Sequence, residues 1–138
     1  MRQIQNRRLW VRHAGDLLDP RSVMTVGIEA VIELADSEPF ASLPRELVRC
    51  RFPLSDGGDN AAWLLRLVAE TVAALICANV PTLICCASGL SRSVCAAAAG
   101  VALAEHLTMN EALISVTTSG PADVAPGLLA QFEAVSGR

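Results

Sequence analysis

The sequence predicts an α/β protein built on one central, mostly parallel sheet of about four to five strands with helices on its faces. Short apolar, β-branched segments alternate with longer stretches of helical spacing along the whole chain, the pattern of a sheet covered on both sides. Apolar residues make up 52% of the chain and charged residues 18%, a balance that builds a buried core and argues against extended disorder. At 138 residues the length suits a single domain over 1–138, and no repeat, linker or change of composition divides it.

The elements follow in order. Leu9-Trp10-Val11 reads as a short first strand. Asp16 to Val26 has helical spacing, with Asp16 as N-cap and Gly27 as the stop. Ile28 to Leu34 is a β-branched run closed by Asp36, Ser37 and Pro39, so it reads as a buried strand, and Leu47 to Phe52 as the next. PLSDGGDN, Pro53 to Asn60, is a loop, since it gathers Pro, Ser, Asp, Gly and Asn. A helix is predicted from about Ala61 to Cys77, with Leu64, Leu67, Val68, Val72, Leu75 and Ile76 on one broad face. Pro81 to Cys85 reads as a short buried strand, followed by the loop CASGLSR and a small-residue helix from about Ser93 to His106. Met109 to Thr117 and Pro126 to Val135 complete the set as two further helices.

Composition removes several classes of function. The formal charge is −3, which gives no general affinity for nucleic acid. All eleven basic residues are arginine, so any phosphate site has to be made of arginine and backbone N–H groups. The N-terminus MRQIQNRRLW has no apolar stretch after its basic residues, and the alanine-rich run Val94 to Ala104 is too short for a membrane span. Five cysteines, at 50, 77, 85, 86 and 95, have no disulfide-framework spacing, and reduced thiols in a cytoplasm are the expectation.

The segment that carries chemistry runs from Cys86 to Ser93. An apolar strand, TLIC, is followed by Cys86, five residues, Arg92 and Ser93, and then a helix. A loop of Ala87, Ser88, Gly89, Leu90 and Ser91 can turn successive backbone N–H groups inward as an anion nest. The following helix adds the positive end of its dipole. Arg92 offers a planar fork to two phosphoryl oxygens. A thiol at the bottom of that cradle lies in the field of every one of these donors, which favours the nucleophilic thiolate. Ser93 is placed to hydrogen-bond the sulfur and ease its departure from a phosphocysteine.

A thiolate nucleophile requires a separate acid for the leaving oxygen, and a mobile loop at the mouth of the site is the expected place. Pro53 to Asn60 supplies Asp56 and Asp59, thirty and twenty-seven residues before Cys86. The strand–loop–helix–strand path between them returns the chain to the same edge of the sheet. Asp56 is the candidate acid and Asp59 the reserve.

CCASGLSRS, with PLSD upstream and an amphipathic helix between, resembles the small dual-specificity branch of the protein tyrosine phosphatase superfamily. The likeness runs over nearly the whole chain: LWVRHAGDLLD and GIEAVIELA resemble that family's opening strand, helix and strand, and GLLAQFEAV its closing helix. The resemblance implies a protein tyrosine phosphatase-like fold and a cysteinyl-phosphate mechanism, with Cys86 as nucleophile, Arg92 on the phosphate, Asp56 as acid and Ser93 on the thiolate. It implies no metal and no organic cofactor. The expected substrate is a phosphorylated protein or a small phosphoester. One position departs from the family pattern: histidine usually precedes the nucleophile, and this chain has Cys85 there. That histidine helps hold the loop and takes no direct part in phosphoryl transfer, so its replacement predicts altered activity rather than its loss. The chain has no tyrosine and no sign of the aromatic wall that deepens the tyrosine-specific pocket, which favours a shallow site.

Cys85 reads as a core thiol in preference to half of a strained disulfide with Cys86, and Cys50, Cys77 and Cys95 as small packed hydrophobes. Asp59 or Asn60 suits the N-cap of the next helix. His13 and His106 suit surface or capping roles, and Trp10 and Trp63 core or rim positions. Arg45, Arg49 and Arg51 read as a solvated strand edge. The alternative functions are a phosphatase of non-protein phosphoesters, a phospho-binding module without hydrolysis, and a rhodanese-like sulfurtransferase or arsenate reductase. The upstream Asp loop and the helical C-terminal third do not suit the last of these.

Overall fold

The computed structural model describes residues 2–4, 6–13, 20–34, 47–86, 91–118, 120 and 122–136. In chain order these form β1 (Arg2–Gln3), β2 (Leu9–His13), α1 (Pro20–Val26), β3 (Ala30–Leu34), β4 (Val48–Phe52) and α2 (Ala62–Cys77). The chain continues with β5 (Thr82–Cys86), α3 (Ser91–Glu105), α4 (Met109–Thr117) and α5 (Pro126–Ser136). The five strands make one sheet in the order β1-β2-β5-β3-β4. Every pairing is parallel except that of β1 with β2. The predicted α/β class and mostly parallel sheet are therefore present, with β5 in the centre.

That central place follows from sequence chemistry. TLICC is buried at all five positions, as a strand covered on both faces must be. Alternation then sorts its residues: Ile84 and Cys86 face the core beneath α2 to α5, whereas Leu83 and Cys85 face a second cluster with Val23, Ile28, Val31 and Leu47. Parallel register brings the strand ends level, so that Cys86 lies between His13 of β2 and Leu34 of β3.

Helix ends explain where the elements stop. Pro20 opens α1, and Gly27 closes it at a φ of 88°, a left-handed conformation that glycine adopts without strain. α4 begins with a reciprocal capping box. Glu111 N–H donates to Thr108 Oγ1 at 3.1 Å, and Thr108 N–H donates to the Glu111 carboxylate at 2.9 Å. α3 is so rich in alanine because it is buried nearly all round. Where it crosses α2, a Cβ on Gly100 would lie 2.1 Å from Val72 Cγ1, so only glycine permits this approach.

Several boundaries differ from the sequence reading. β1 was not predicted; two residues paired to an edge carry no pattern of their own. β5 runs through Cys86 and α3 starts at Ser91, so the connecting loop is shorter than CASGLSR. Asp16, the expected cap of α1, lies outside the described residues. Leu67 is exposed and Leu65 is buried in its place on α2, because the inward face is centred on Leu65, Val68 and Val72. Among the described residues no helix is long and apolar enough to cross a membrane.

Candidate active site

The carboxyl ends of β2, β5 and β3 meet the N-terminus of α3, and Cys86, Arg92 and Ser93 lie at that junction. Cys86 ends β5 and is 6% exposed. Five residues later α3 begins, with Ser91, Arg92 and Ser93 in its buried first turn. The helix therefore directs its positive end toward the segment that follows Cys86. Ala87, Ser88, Gly89 and Leu90, predicted to line the phosphate cradle, lie outside the described residues.

Arg92 links the two halves of the site. Its Nη1 donates to the Leu54 carbonyl at 3.0 Å, a buried hydrogen bond to the residue two before Asp56. A guanidinium is a planar fork of five N–H donors, the shape that suits the oxygens of a phosphoryl group. Ser91 uses its hydroxyl structurally, accepting a hydrogen bond from Ala125 N–H at 2.8 Å and so fixing the segment before α5. The Ser93 hydroxyl donates to the Arg12 carbonyl at 3.5 Å, tying α3 to β2, and this is the partner the structure gives it in place of the expected sulfur.

Asp56 and Asp59 are both exposed on the loop between β4 and α2. The expected N-cap role of Asp59 or Asn60 is not realised, since Ala61 occupies the cap of α2 without a side-chain bond. Asn60 instead folds back on its own loop. Its Oδ1 accepts from Ser55 N–H at 2.8 Å, and its Nδ2 donates to the carbonyls of Ser55 at 2.8 Å and Gly57 at 3.4 Å. The loop expected to be mobile is thus closed around Asp56 by an asparagine side chain.

Burial pushes the Cys95 thiol up to about 12, and the negative charges of Asp56 and then Cys86 add to the shift, so both lie within electrostatic reach of this α3 residue. Cys85 behaves differently. Burial raises it to about 11, opposed by a hydrogen bond and charge from Arg12 and reinforced by Glu33 and Cys86. Arg12, Cys85 and Glu33 stand side by side on adjacent strands, all three buried. Glu33 in turn binds Arg49 at 2.8 Å and Arg51 at 3.4 Å, so these arginines lie on the edge strand β4 as expected, partly exposed, and also pair with a buried carboxylate on β3; Arg45 lies outside the described residues.

Other sequence candidates fall as follows. All five cysteines are free, and Cys85 and Cys86 point to opposite faces of one strand, which excludes a disulfide between them in this backbone. Cys95 is buried and Cys50 half-buried, but Cys77 is exposed at the end of α2, against its expected packing. Trp63 is 65% exposed on the first turn of α2 and Trp10 packs against the second cluster. His106 takes the left-handed position after α3, at a φ of 57°, as a capping residue does. Among the described residues no three His, Cys, Asp or Glu side chains gather as a metal ion would require. Arg12, Asn60 and Gln131 were missed. Asn60 had a local signal in its polar loop, but Arg12 and Gln131 depend on contacts made by folding.

No protein-family model matches the sequence, and no curated protein sequence matches it. Solved structures do. Human DUSP28 superposes with a TM-score of 0.82 at 19% identity over 94% of this chain and 92% of its own. A mouse putative dual specificity phosphatase complexed with zinc tungstate gives 0.81 at 19% identity, over 94% and 82%. Tk-PTP in its active form gives 0.78 at 21% identity, over 99% and 96%. The chain thus has the fold of the dual-specificity phosphatases of the protein tyrosine phosphatase superfamily.

Proposed function

We propose that the 138-residue chain is one catalytic domain that hydrolyses phosphomonoesters through a phosphocysteine intermediate. In this reading the Cys86 thiolate attacks phosphorus and the bond to the ester oxygen breaks, while Asp56 gives that oxygen its proton. Water then attacks the phosphocysteine, its proton passes to the Asp56 carboxylate, and the sulfur leaves as thiolate with release of inorganic phosphate. Arg92 and the α3 N-terminus bear the charge of the equatorial oxygens in both steps. Ser93 assists departure of the sulfur by turning its hydroxyl from the Arg12 carbonyl.

The observation that carries the proposal is the Arg92 bond to Leu54. It joins the helix that follows the nucleophile to the loop that bears the acid, so phosphate grip and proton donor belong to one assembly. The mouse phosphatase of like fold was solved with tungstate, a tetrahedral oxyanion of phosphate shape, which supports the same ligand class here. Protein phosphoresidues and small phosphoesters are the substrate classes that suit the site. A free thiolate nucleophile belongs in a reducing compartment, so a cytoplasmic location is part of the proposal.

The test is hydrolysis of an aryl phosphate from pH 5 to 8 without added metal, by wild type, Cys86→Ser and Asp56→Asn. Turnover abolished by the first substitution and weakened by the second supports the proposal. A wild type that binds vanadate without turnover would convert it to a phospho-binding module.

A further inference from the structure

The loop that carries Asp56 is held from two directions, and one of its holders lies far away in sequence. At its start Arg92 grips Leu54. At its end Gln131 of α5, 71 residues from Asn60, makes three hydrogen bonds to that one residue. Asn60 N–H donates to Gln131 Oε1 at 3.2 Å, and Asn60 Nδ2 donates to the same oxygen at 3.1 Å. Gln131 Nε2 completes the clamp by donating to the Asn60 carbonyl at 3.0 Å. The backbone groups fix which end of the Gln131 amide is which, because an N–H can only donate and a carbonyl only accept.

The middle of the loop is seated on the same helix. Gly127, at the start of α5, lies against the loop backbone, where a Cβ would sit 3.4 Å from Gly58 N. Asp56 itself is exposed and none of these bonds involves its carboxylate. An exposed acid on a polar, glycine-rich loop would ordinarily sample many positions, and each residue that has to be ordered costs conformational entropy. Asn60 closes the turn from within, and Gln131 fixes Asn60 from outside.

We propose that Gln131 is a positioning residue for proton transfer: it holds Asn60, and through Asn60 the loop that aims Asp56 at the leaving oxygen. This rests on the phosphatase reading of Cys86 and Asp56. General acid catalysis matters only when the leaving oxygen needs its proton, so the defect has a signature that general loss of structure does not share.

Gln131→Leu keeps the size of the side chain and removes all three hydrogen bonds. Its kcat on phenyl phosphate, a poor leaving group, is expected to fall about tenfold, and on 2,4-dinitrophenyl phosphate by less than about twofold. Combined with Asp56→Asn, it should cost nothing further on phenyl phosphate, since both changes remove one function. Amide hydrogen exchange at Ser55 and Asn60 should quicken while that of β5 is unchanged. Equal losses on both substrates, full additivity with Asp56→Asn, or unaltered loop exchange would each overturn the proposal. A wild type inactive on both substrates would defeat the phosphatase reading instead, and loop exchange alone would then decide whether Gln131 holds the loop.

Discussion

Cys85 and Cys86 are neighbours in the chain and belong to different chemical environments. Cys86 faces the side of the sheet where α3 brings its N-terminus, Arg92 and the tethered acid loop. Cys85 faces the other side, within a buried row of Arg12 and Glu33, and its thiol is pushed up to about 11. One residue of strand pleat separates a candidate nucleophile from a protonated structural thiol. What a cysteine can do is decided by the face it occupies: at Cys85 burial outweighs the Arg12 donor and favours the neutral thiol.

The sharpest test of that contrast is catalytic. Cys86→Ser is expected to lower kcat on an aryl phosphate by more than about 1,000-fold, as loss of a nucleophile does. Cys85→Ser should keep turnover within about tenfold, since the residue supports the strand without touching substrate. Comparable losses from both substitutions would erase the distinction between the faces.

The cover of the Cys86 face is tested by Gly100→Ala. The added methyl collides with Val72 where α2 and α3 cross, and overpacking of this kind costs about 3 kcal/mol in denaturant unfolding. A variant as stable as wild type would mean that the crossing is loose.

The Cys85 face is tested through its charges. Arg49→Ala with Arg51→Ala removes two cations that bind the buried Glu33 carboxylate, at an expected cost of about 2 kcal/mol in urea unfolding. Both arginines are partly exposed, which keeps the effect below that of a fully buried pair.

The two faces are also tested together through the dependence on pH. Both the Cys85 and Cys95 thiols are raised above 9.0 by folding, to about 11 and about 12, so the native state keeps protons that the unfolded chain releases above pH 9. Stability conferred by these thiols is complete below pH 9 and is lost as pH climbs toward 11 and 12. The loss is up to about 1.4 kcal/mol per pH unit for each. Thermal unfolding between pH 7 and 10.5 should show a decline that Cys85→Ala with Cys95→Ala flattens. An unchanged slope would place the alkaline sensitivity elsewhere.

Much of this molecule is legible without coordinates, and the reasons are local. Alternation of TLIC-like runs with amphipathic stretches dictates strands and helices, because a covered strand must be apolar on both faces and a surface helix on one. Cys86 and Arg92 are close in sequence, so a strand, a tight loop and a helix suffice to bring them together. Asp56 is a candidate through topology, since a parallel crossover returns the chain to the same edge of the sheet. Tertiary structure alone decided the rest. The Gln131 clamp joins residues 71 positions apart, the buried row of Arg12, Cys85 and Glu33 spans three strands, and the Gly100–Val72 contact depends on how two helices cross. Each depends on strand order or crossing geometry, which no short window of sequence encodes. Only a side chain's own neighbours are written in its segment; the partners that hold it still are chosen when the sheet and its helices close around it.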